Sequence, residues 1–348
     1  MSSEGVGTAV TSERLAALLD LEPAQWTARH EPIGNGQVAD CQRWEFRHEH
    51  SVVSVIVKSP SRDAVSRATA NAQHLYEREV SFYRELRPQV KVRTPVPRHV
   101  EFNPATDDFL LVLEDLTPTA VVDQFSGMSL SQAQLALREL AGLHGPTARR
   151  TDLFEQPWLG GVAQKLAPLY RAIVPDLFDQ FLVRYDNDVD DDIRGTVRTL
   201  RERLSEFSDF TPAVTCVVHG DFRSENLLFD GRSGDVPLAV VDWQTLSVGS
   251  PLLDVAYLLT TSLSVGDRAA HDRELLRFYL EQLAAMGVTI SWDDACHEFA
   301  RYTLQPIVML VAASVLVERT ERGDAMFLTM IRRAVDAVAA WHGLAELD

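Results

Sequence analysis

Cysteine is scarce. The 348 residues hold three, Cys41, Cys216 and Cys296, far apart and odd in number. Such a set indicates neither a disulfide framework nor a Cys-x-x-Cys metal site, and it fits reduced thiols in a cytoplasm. Long apolar runs are missing too. The most apolar stretch, residues 307–317, is too short to span a bilayer and predicts a buried helix. Residues 1–10 carry no basic segment followed by an apolar one, so they predict disorder and no signal peptide. Positive charge is in deficit: 33 Lys and Arg against 50 Asp and Glu leave a net charge of −17. That surface repels nucleic-acid phosphates and anionic membranes, so neither is an expected partner. It would draw in a cationic ligand, although solubility alone accounts for such a surface. No G-x-x-x-x-G-K-[ST] occurs, which excludes a P-loop. Internal repeats and low-complexity tracts are also absent.

What is present reads as one large domain or two lobes, with 46% hydrophobic and 24% charged residues. Thr11 or Ser12 caps a short predicted helix ending near residue 20. Residues 26–58 predict strands, among them the β-branched Ser51-Val52-Val53-Ser54-Val55-Ile56-Val57-Lys58. Residues 63–86 lack Gly and Pro and predict one helix. Phe109-Leu110-Leu111-Val112-Leu113 predicts a buried strand. From about residue 129 the chain predicts mostly helix, apart from a β patch between about 215 and 242. The class is therefore α+β, a small β-rich N-terminal lobe over residues 1–116 and a large helical C-terminal lobe over 117–348.

The densest chemistry lies in Val217-Val218-His219-Gly220-Asp221-Phe222-Arg223-Ser224-Glu225-Asn226-Leu227-Leu228. Apolar strands lead in and out of an H-x-D-x-x-x-x-N turn. Protein kinases use this spacing in their catalytic loop. A hydroxyl attacking a phosphoryl group needs a carboxylate to orient it and take its proton, here Asp221. The accompanying magnesium needs hard oxygen ligands. Asn226 is one candidate, and Asp242, delivered at the end of Leu238-Ala239-Val240-Val241, is another. Taken singly, each could be a polar residue in a turn; the order and spacing of the two apolar-flanked motifs argue otherwise.

The first third supplies matching parts. Lys58 ends a strand, where a kinase lysine grips nucleotide phosphates. Its partner should be a Glu on the next helix, Glu79, with Glu77 as the alternative. Gly34, Asn35 and Gly36 sit between the first two strands and could cover phosphates, although an ordinary hairpin turn would look the same. Leu111-Val112-Leu113-Glu114-Asp115-Leu116 would be the hinge, its backbone at Glu114 and Leu116 meeting the adenine edge.

These residues resemble the aminoglycoside phosphotransferase and choline kinase-like superfamily. The carrying segments are His219-Gly220-Asp221 with Asn226, Asp242-Trp243-Gln244, Leu113-Glu114-Asp115-Leu116 and Leu140-Ala141-Gly142-Leu143-His144. Gly249-Ser250-Pro251-Leu252-Leu253-Asp254-Val255-Ala256-Tyr257-Leu258 completes the set. Asp242-Trp243-Gln244 followed by that last stretch is closest in pattern to the ecdysteroid kinase-like branch. The resemblance covers roughly residues 30–265. It implies a two-lobed protein-kinase-like fold and phosphorylation of a small molecule's hydroxyl by ATP, with GTP possible, and Mg2+. Within it, Asp221 is the base, and Asn226 and Asp242 hold magnesium. His219 and the buried Asp254 brace the loop, and His144 is a packed structural histidine.

Two departures from protein kinases bear on the acceptor. Gly220 replaces the Arg that reads a phosphorylated activation loop. Only eleven residues separate Asp242 from Asp254, too few for an activation segment, so a protein acceptor is not expected. The region after 250 and the insert at about 120–210 should form the acceptor pocket, with Trp292, Phe299, Tyr302 and Trp341 as linings or as core. Two acceptors compete: an aminoglycoside or choline-like cation, toward which the acidic run Asp186–Asp192 could contribute unless it is a solvated loop, and a neutral metabolite alcohol held by apolar helices. A non-catalytic nucleotide-binding protein on the same fold is the alternative of another class.

Overall fold

The computed structural model describes residues 10–33, 38–317 and 319–347. Gly34, Asn35 and Gly36, and residues 1–9, lie outside the described residues. The chain divides into two compact units. The first runs to Gln89 and takes in Thr94–Pro118 and Val241–Thr245; the second holds Val90–Arg93, Thr119–Val240 and the chain from Leu246.

The first unit opens with α1 (Ser12–Leu18), whose N-terminus is satisfied by Thr11 Oγ1 accepting the Arg14 N–H at 3.2 Å. Five antiparallel strands follow: β1 (Thr27–Pro32), β2 (Ala39–His48), β3 (Ser51–Pro60), β4 (Pro97–Asn103) and β5 (Asp108–Glu114), in the order β1-β2-β3-β5-β4. Alternate residues of three strands, Trp44 and Phe46, Val55 and Val57, Leu110 and Val112, point to one face and pack with Leu15 and Ala16 of α1. β5 is buried along its whole length, as its unbroken apolar run requires.

Between β3 and β4 the structure departs from the single helix that residues 63–86 predict. There are two, α2 (Ala64–Ala72) and α3 (Leu75–Ser81), separated at His74, whose φ is +54°. At the break the Arg78 guanidinium donates to Gln73 O at 2.6 Å and, at 3.4 Å, to His74 O, which also accepts the Arg78 N–H at 3.2 Å. Neither Gly nor Pro marks the break, so composition could not signal it. Val241–Thr245 belongs to this unit because Trp243, fully buried, stacks on Phe82 with centroids 3.8 Å apart and planes at 6°.

The second unit contains β6 (Ala120–Val121), α4 (Leu130–Thr147), α5 (Thr151–Phe154), α6 (Val162–Arg184), α7 (Asp191–Glu202) and α8 (Leu204–Ser208). Then come β7 (Cys216–Val218), β8 (Leu227–Gly231), β9 (Val236–Val240), β10 (Ser247–Gly249) and α9 (Pro251–Ser262). The chain closes with α10 (Val265–Ala285), α11 (Trp292–Tyr302), α12 (Gln305–Leu316) and α13 (Glu321–Trp341). β7 pairs with β10, and β6, β8 and β9 form a second small sheet. Its main core joins α6, α7, α12 and α13. The run Trp292–Leu316 is 25 residues and apolar enough to cross a membrane by length and composition, longer than residues 307–317 alone suggest. Its most apolar 18-residue stretch is 61% buried inside the protein, as in a core helix. The four candidate lining aromatics serve packing instead. Phe299 and Trp341 are buried edge to face at 4.7 Å, Tyr302 is buried, and Trp292 carries the Arg277 guanidinium at 4.3 Å.

Candidate active site

In the first unit, β3 and α3 deliver opposite charges to one point. Lys58 Nζ lies 2.6 and 2.7 Å from the two Glu79 oxygens and 3.2 Å from Asp242 Oδ1. Glu77 is engaged elsewhere, with His74 at 3.2 Å. Burial opposes the Lys58 charge, but Glu79 and Asp242 outweigh it and hold the ammonium above its usual range. Glu79 also accepts the Trp243 backbone N–H, so the residue that stacks on Phe82 also fixes the carboxylate. Asp242 has φ of +68°, a left-handed backbone that costs a non-glycine residue about 1 kcal/mol. Gln244 Nε2 donates to its Oδ2 at 3.1 Å, and the carboxylate remains one-third exposed. Cys41, opposite Lys58 in the β2–β3 register, is pushed up to about 11 by burial, so its thiol is inert at neutral pH.

β5 ends in a locked turn. Glu114 N–H donates to Val96 O at 2.8 Å and its carboxylate accepts Val96 N–H at 3.0 Å. The Leu116 N–H has no partner among the described residues. Asp115 accepts from Arg43 Nε at 3.0 Å, Ser54 Oγ at 2.5 Å and Thr117 N–H at 2.9 Å, which fixes the backbone on either side. Burial would raise its carboxyl, but these donors hold it below the usual range.

In the second unit, β7 ends at Val218 and β8 begins at Leu227, and the loop between them is held by Asp254 of α9. The fully buried Asp254 accepts His219 N–H at 2.6 Å and Gly220 N–H at 2.9 Å. His144 Nε2 sits 3.1 Å from the same carboxylate, and its Nδ1 is 2.8 Å from the Tyr279 hydroxyl. Three donors offset the desolvation of a buried carboxylate. Gly220 has φ of +84°, which lets consecutive N–H groups face one carboxylate. His219 is fully buried, its Nδ1 accepts the Asp221 N–H at 3.3 Å, and its ring meets Phe222 edge on at 5.5 Å.

Asp221 thus emerges from a braced turn with its carboxylate partly exposed. Asn226 Nδ2 donates to the Asp221 carbonyl at 2.8 Å and to its carboxylate at 3.1 Å. That leaves the Asn226 Oδ1 without a partner among the described residues, a hard oxygen donor. Sequence reasoning missed two further neighbours. Arg223 Nε is 3.2 Å from Asp221 Oδ1, while its Nη1 pairs with Glu225 and lies 4.0 Å from Met326 Sδ. The buried Tyr257 hydroxyl donates to Asp221. Tyr257 follows Asp254 by three residues and so shares its helix face, a signal the spacing did hold. From Asp242 onward the short Trp243–Thr245 turn, β10 and the α9 N-terminus use up the chain, leaving no activation segment.

Among the described residues no cluster of three His, Cys, Asp or Glu side chains could hold a metal alone. Asp242 and the Asn226 Oδ1 are oxygen donors of the type magnesium takes, one or two per ion, with phosphates and water completing the shell. Each donor, Asp242 in the first unit and Asn226 in the second, is chemically suited to magnesium arriving with a nucleotide.

A model of the ecdysteroid kinase-like family matches residues 41–290. Among solved structures, a Ralstonia eutropha protein assigned as an aminoglycoside phosphotransferase superposes with a TM-score of 0.54 at 14% identity, covering 96% of this chain and 98% of that one. A microcompartment-associated aminopropanol kinase gives 0.54 at 15% identity over 97% and 98%. A choline/ethanolamine kinase family protein from Mesorhizobium loti gives 0.50 at 16% over 94% and 97%. These likenesses show the α+β kinase-like fold. A mouse acyl-CoA dehydrogenase family member 10 is 51% identical over 43 residues, 12% of this chain and 4% of the mouse protein. An Arabidopsis thaliana acyl-CoA dehydrogenase is 43% identical over 49 residues, 14% of this chain and 6% of its own length. The matches therefore span only a small part of these curated relatives.

Proposed function

We propose that this chain, which belongs to the ecdysteroid kinase-like family, transfers the terminal phosphoryl group of ATP to a hydroxyl of a small molecule. The observation that carries the reading is the braced, partly exposed Asp221, beside the free Asn226 oxygen, on a loop that Asp254 holds by two backbone N–H groups. Asp221 orients the acceptor hydroxyl and takes its proton as the oxygen attacks phosphorus. Lys58, held by Glu79, binds nucleotide phosphate, while the backbone at Glu114 and Leu116 meets the adenine. Asp242 and Asn226 each give an oxygen to magnesium, whose chemistry is to neutralise phosphate charge. The Arg223 guanidinium donates to the transferring phosphoryl group, where negative charge concentrates.

For the acceptor, an apolar side chain next to the base's neighbour favours an alcohol on an apolar body: Met326 Sδ lies 4.0 Å from Arg223 Nη1. The net charge of −17 supports the second reading, a cationic aminoglycoside or amino alcohol. The test is a nucleotide-consumption screen with Mg2+ across sterol-like alcohols, sugars, amino alcohols and aminoglycosides. With the true acceptor, Asp221→Asn is expected to cut kcat by about 10²-fold or more while nucleotide affinity stays unchanged. Consumption with no acceptor class would favour the non-catalytic alternative, and undiminished turnover by Asp221→Asn would remove the base assignment.

A further inference from the structure

Arg333, on α13, is buried, with a residual exposure of 8%. Among the described residues no carboxylate pairs with it. Its Nη1 donates to Gln124 O at 2.7 Å and Thr261 O at 3.0 Å, and its Nη2 to Phe125 O at 2.7 Å. Burial lowers its affinity for the proton, with no acidic neighbour to offset the cost. Thr261 lies in the last turn of α9, where the negative end of the helix dipole supplies partial compensation. A methionine of similar volume would fill this space without desolvating a charge. What only a planar guanidinium does is hold three carbonyls from two segments in one fixed arrangement.

Those segments lead to the catalytic loop. The Gln124 side chain, fully buried, donates to Thr261 O at 2.7 Å and accepts the Ser224 hydroxyl at 2.6 Å. Ser262 Oγ accepts the Ser224 N–H at 3.1 Å, and Met128 N–H donates to Ser262 O at 2.7 Å. Gly127, with φ of +77°, turns the strap past Ser262 O, which a Cβ would meet at 3.1 Å. Ser224 lies midway between Asp221 and Asn226. Asp254 therefore fixes the entry to the loop, and nothing in that anchor reaches its exit.

We propose that Arg333 is a positioning residue: it clamps residues 124–125 to the end of α9, so that Gln124 holds Ser224 and with it the turn from Asp221 to Asn226. The proposal rests on the kinase reading of that loop. It is tested on the full chain with Arg333→Met, Arg333→Lys and Ser224→Ala, by hydrogen–deuterium exchange and by Mg2+-dependent ATP hydrolysis. In Arg333→Met and Ser224→Ala, exchange over residues 219–227 is expected to speed by about tenfold, with the strands of the first unit unchanged. kcat for hydrolysis is expected to fall by about tenfold at unchanged ATP affinity, and Arg333→Lys to recover part of it. Unchanged exchange at the loop, uniform acceleration everywhere, or a loosened loop with full hydrolysis would each overturn the proposal. Should Arg333→Met not fold, Ser224→Ala, which removes one oxygen, decides it. A wild-type chain that neither binds nor hydrolyses MgATP would instead overturn the kinase reading, and the exchange measurement would still report whether the clamp holds the loop.

Discussion

At Lys58 three charges meet out of bulk water, and only their mutual arrangement makes that tolerable. The Glu79 side chain is 2% exposed and Lys58 14%, so removing the ammonium strands a buried carboxylate near a second one, Asp242. Lys58→Met is expected to cost about 3 kcal/mol of stability by chemical denaturation. Adding Glu79→Leu should return part of that loss, because no charge is then left unpaired, while nucleotide affinity stays lost in both. A double variant no more stable than the single one would show that Glu79 is solvated or protonated without cost. Lys58 and Glu79 were both readable from the chain, since a strand-end lysine followed by a helix is a pattern. Gln124 and Arg333 were not. Their partners lie far away in sequence or are backbone carbonyls, and no spacing rule encodes a bond from residue 333 to residues 124, 125 and 261.

Among the elements, α4 carries a contact that makes stability depend on pH. Glu139 accepts the Arg93 N–H at 2.5 Å, and the Arg93 carbonyl accepts Val240 N–H at 2.8 Å, tying the helix to the end of β9. Burial raises the Glu139 carboxyl from 4.5 to about 6, against the pull of Arg93. Above pH 6 the group is ionised whether the chain is folded or not, and the folded state bears the cost, about 2 kcal/mol for a shift of this size. As pH falls from 6 through 4.5 the folded state binds the proton first and that cost disappears. Glu139→Gln keeps an acceptor for Arg93. It should therefore be more stable than wild type at pH 7.5 by about 1–2 kcal/mol, and the gap should close near pH 4.5, in paired denaturation curves. A gap that does not narrow with acid would mean that the carboxyl is not buried as described. Elements themselves were legible where periodicity is strong. β3 and β5 follow from their β-branched and apolar runs, and α1 from Thr11. The break between α2 and α3 was not legible, because it depends on Arg78 capping carbonyls one turn back.

For the molecule as a whole, the net charge of −17 leaves two acceptors in competition, and the distribution of that charge narrows the choice. Two of the five aspartates in the acidic run after Tyr185 are committed to structure. Asp190 caps α7 by accepting Ile193 N–H at 3.0 Å and pairs with Arg332, while Asp186 pairs with Arg194 at 2.7 Å. Asp123, in the strap beneath the loop, pairs with Arg322 at 3.5 Å. These three acidic groups are thus paired, and a cationic acceptor would be attracted through the long-range field of the others. That field is screened over about 10 Å at 0.1 M salt, whereas apolar contact with the helices is not. With the acceptor found by the screen, raising ionic strength from about 20 to 300 mM at fixed saturating MgATP separates the two readings. A cationic acceptor should show KM rising by about threefold or more with kcat steady, because the field acts on encounter and not on the chemical step. For a neutral alcohol on an apolar body, KM should stay constant or fall slightly as salt strengthens apolar association. The reading favoured by Met326 would be abandoned on a steep rise in KM, and the field-driven reading on a flat one.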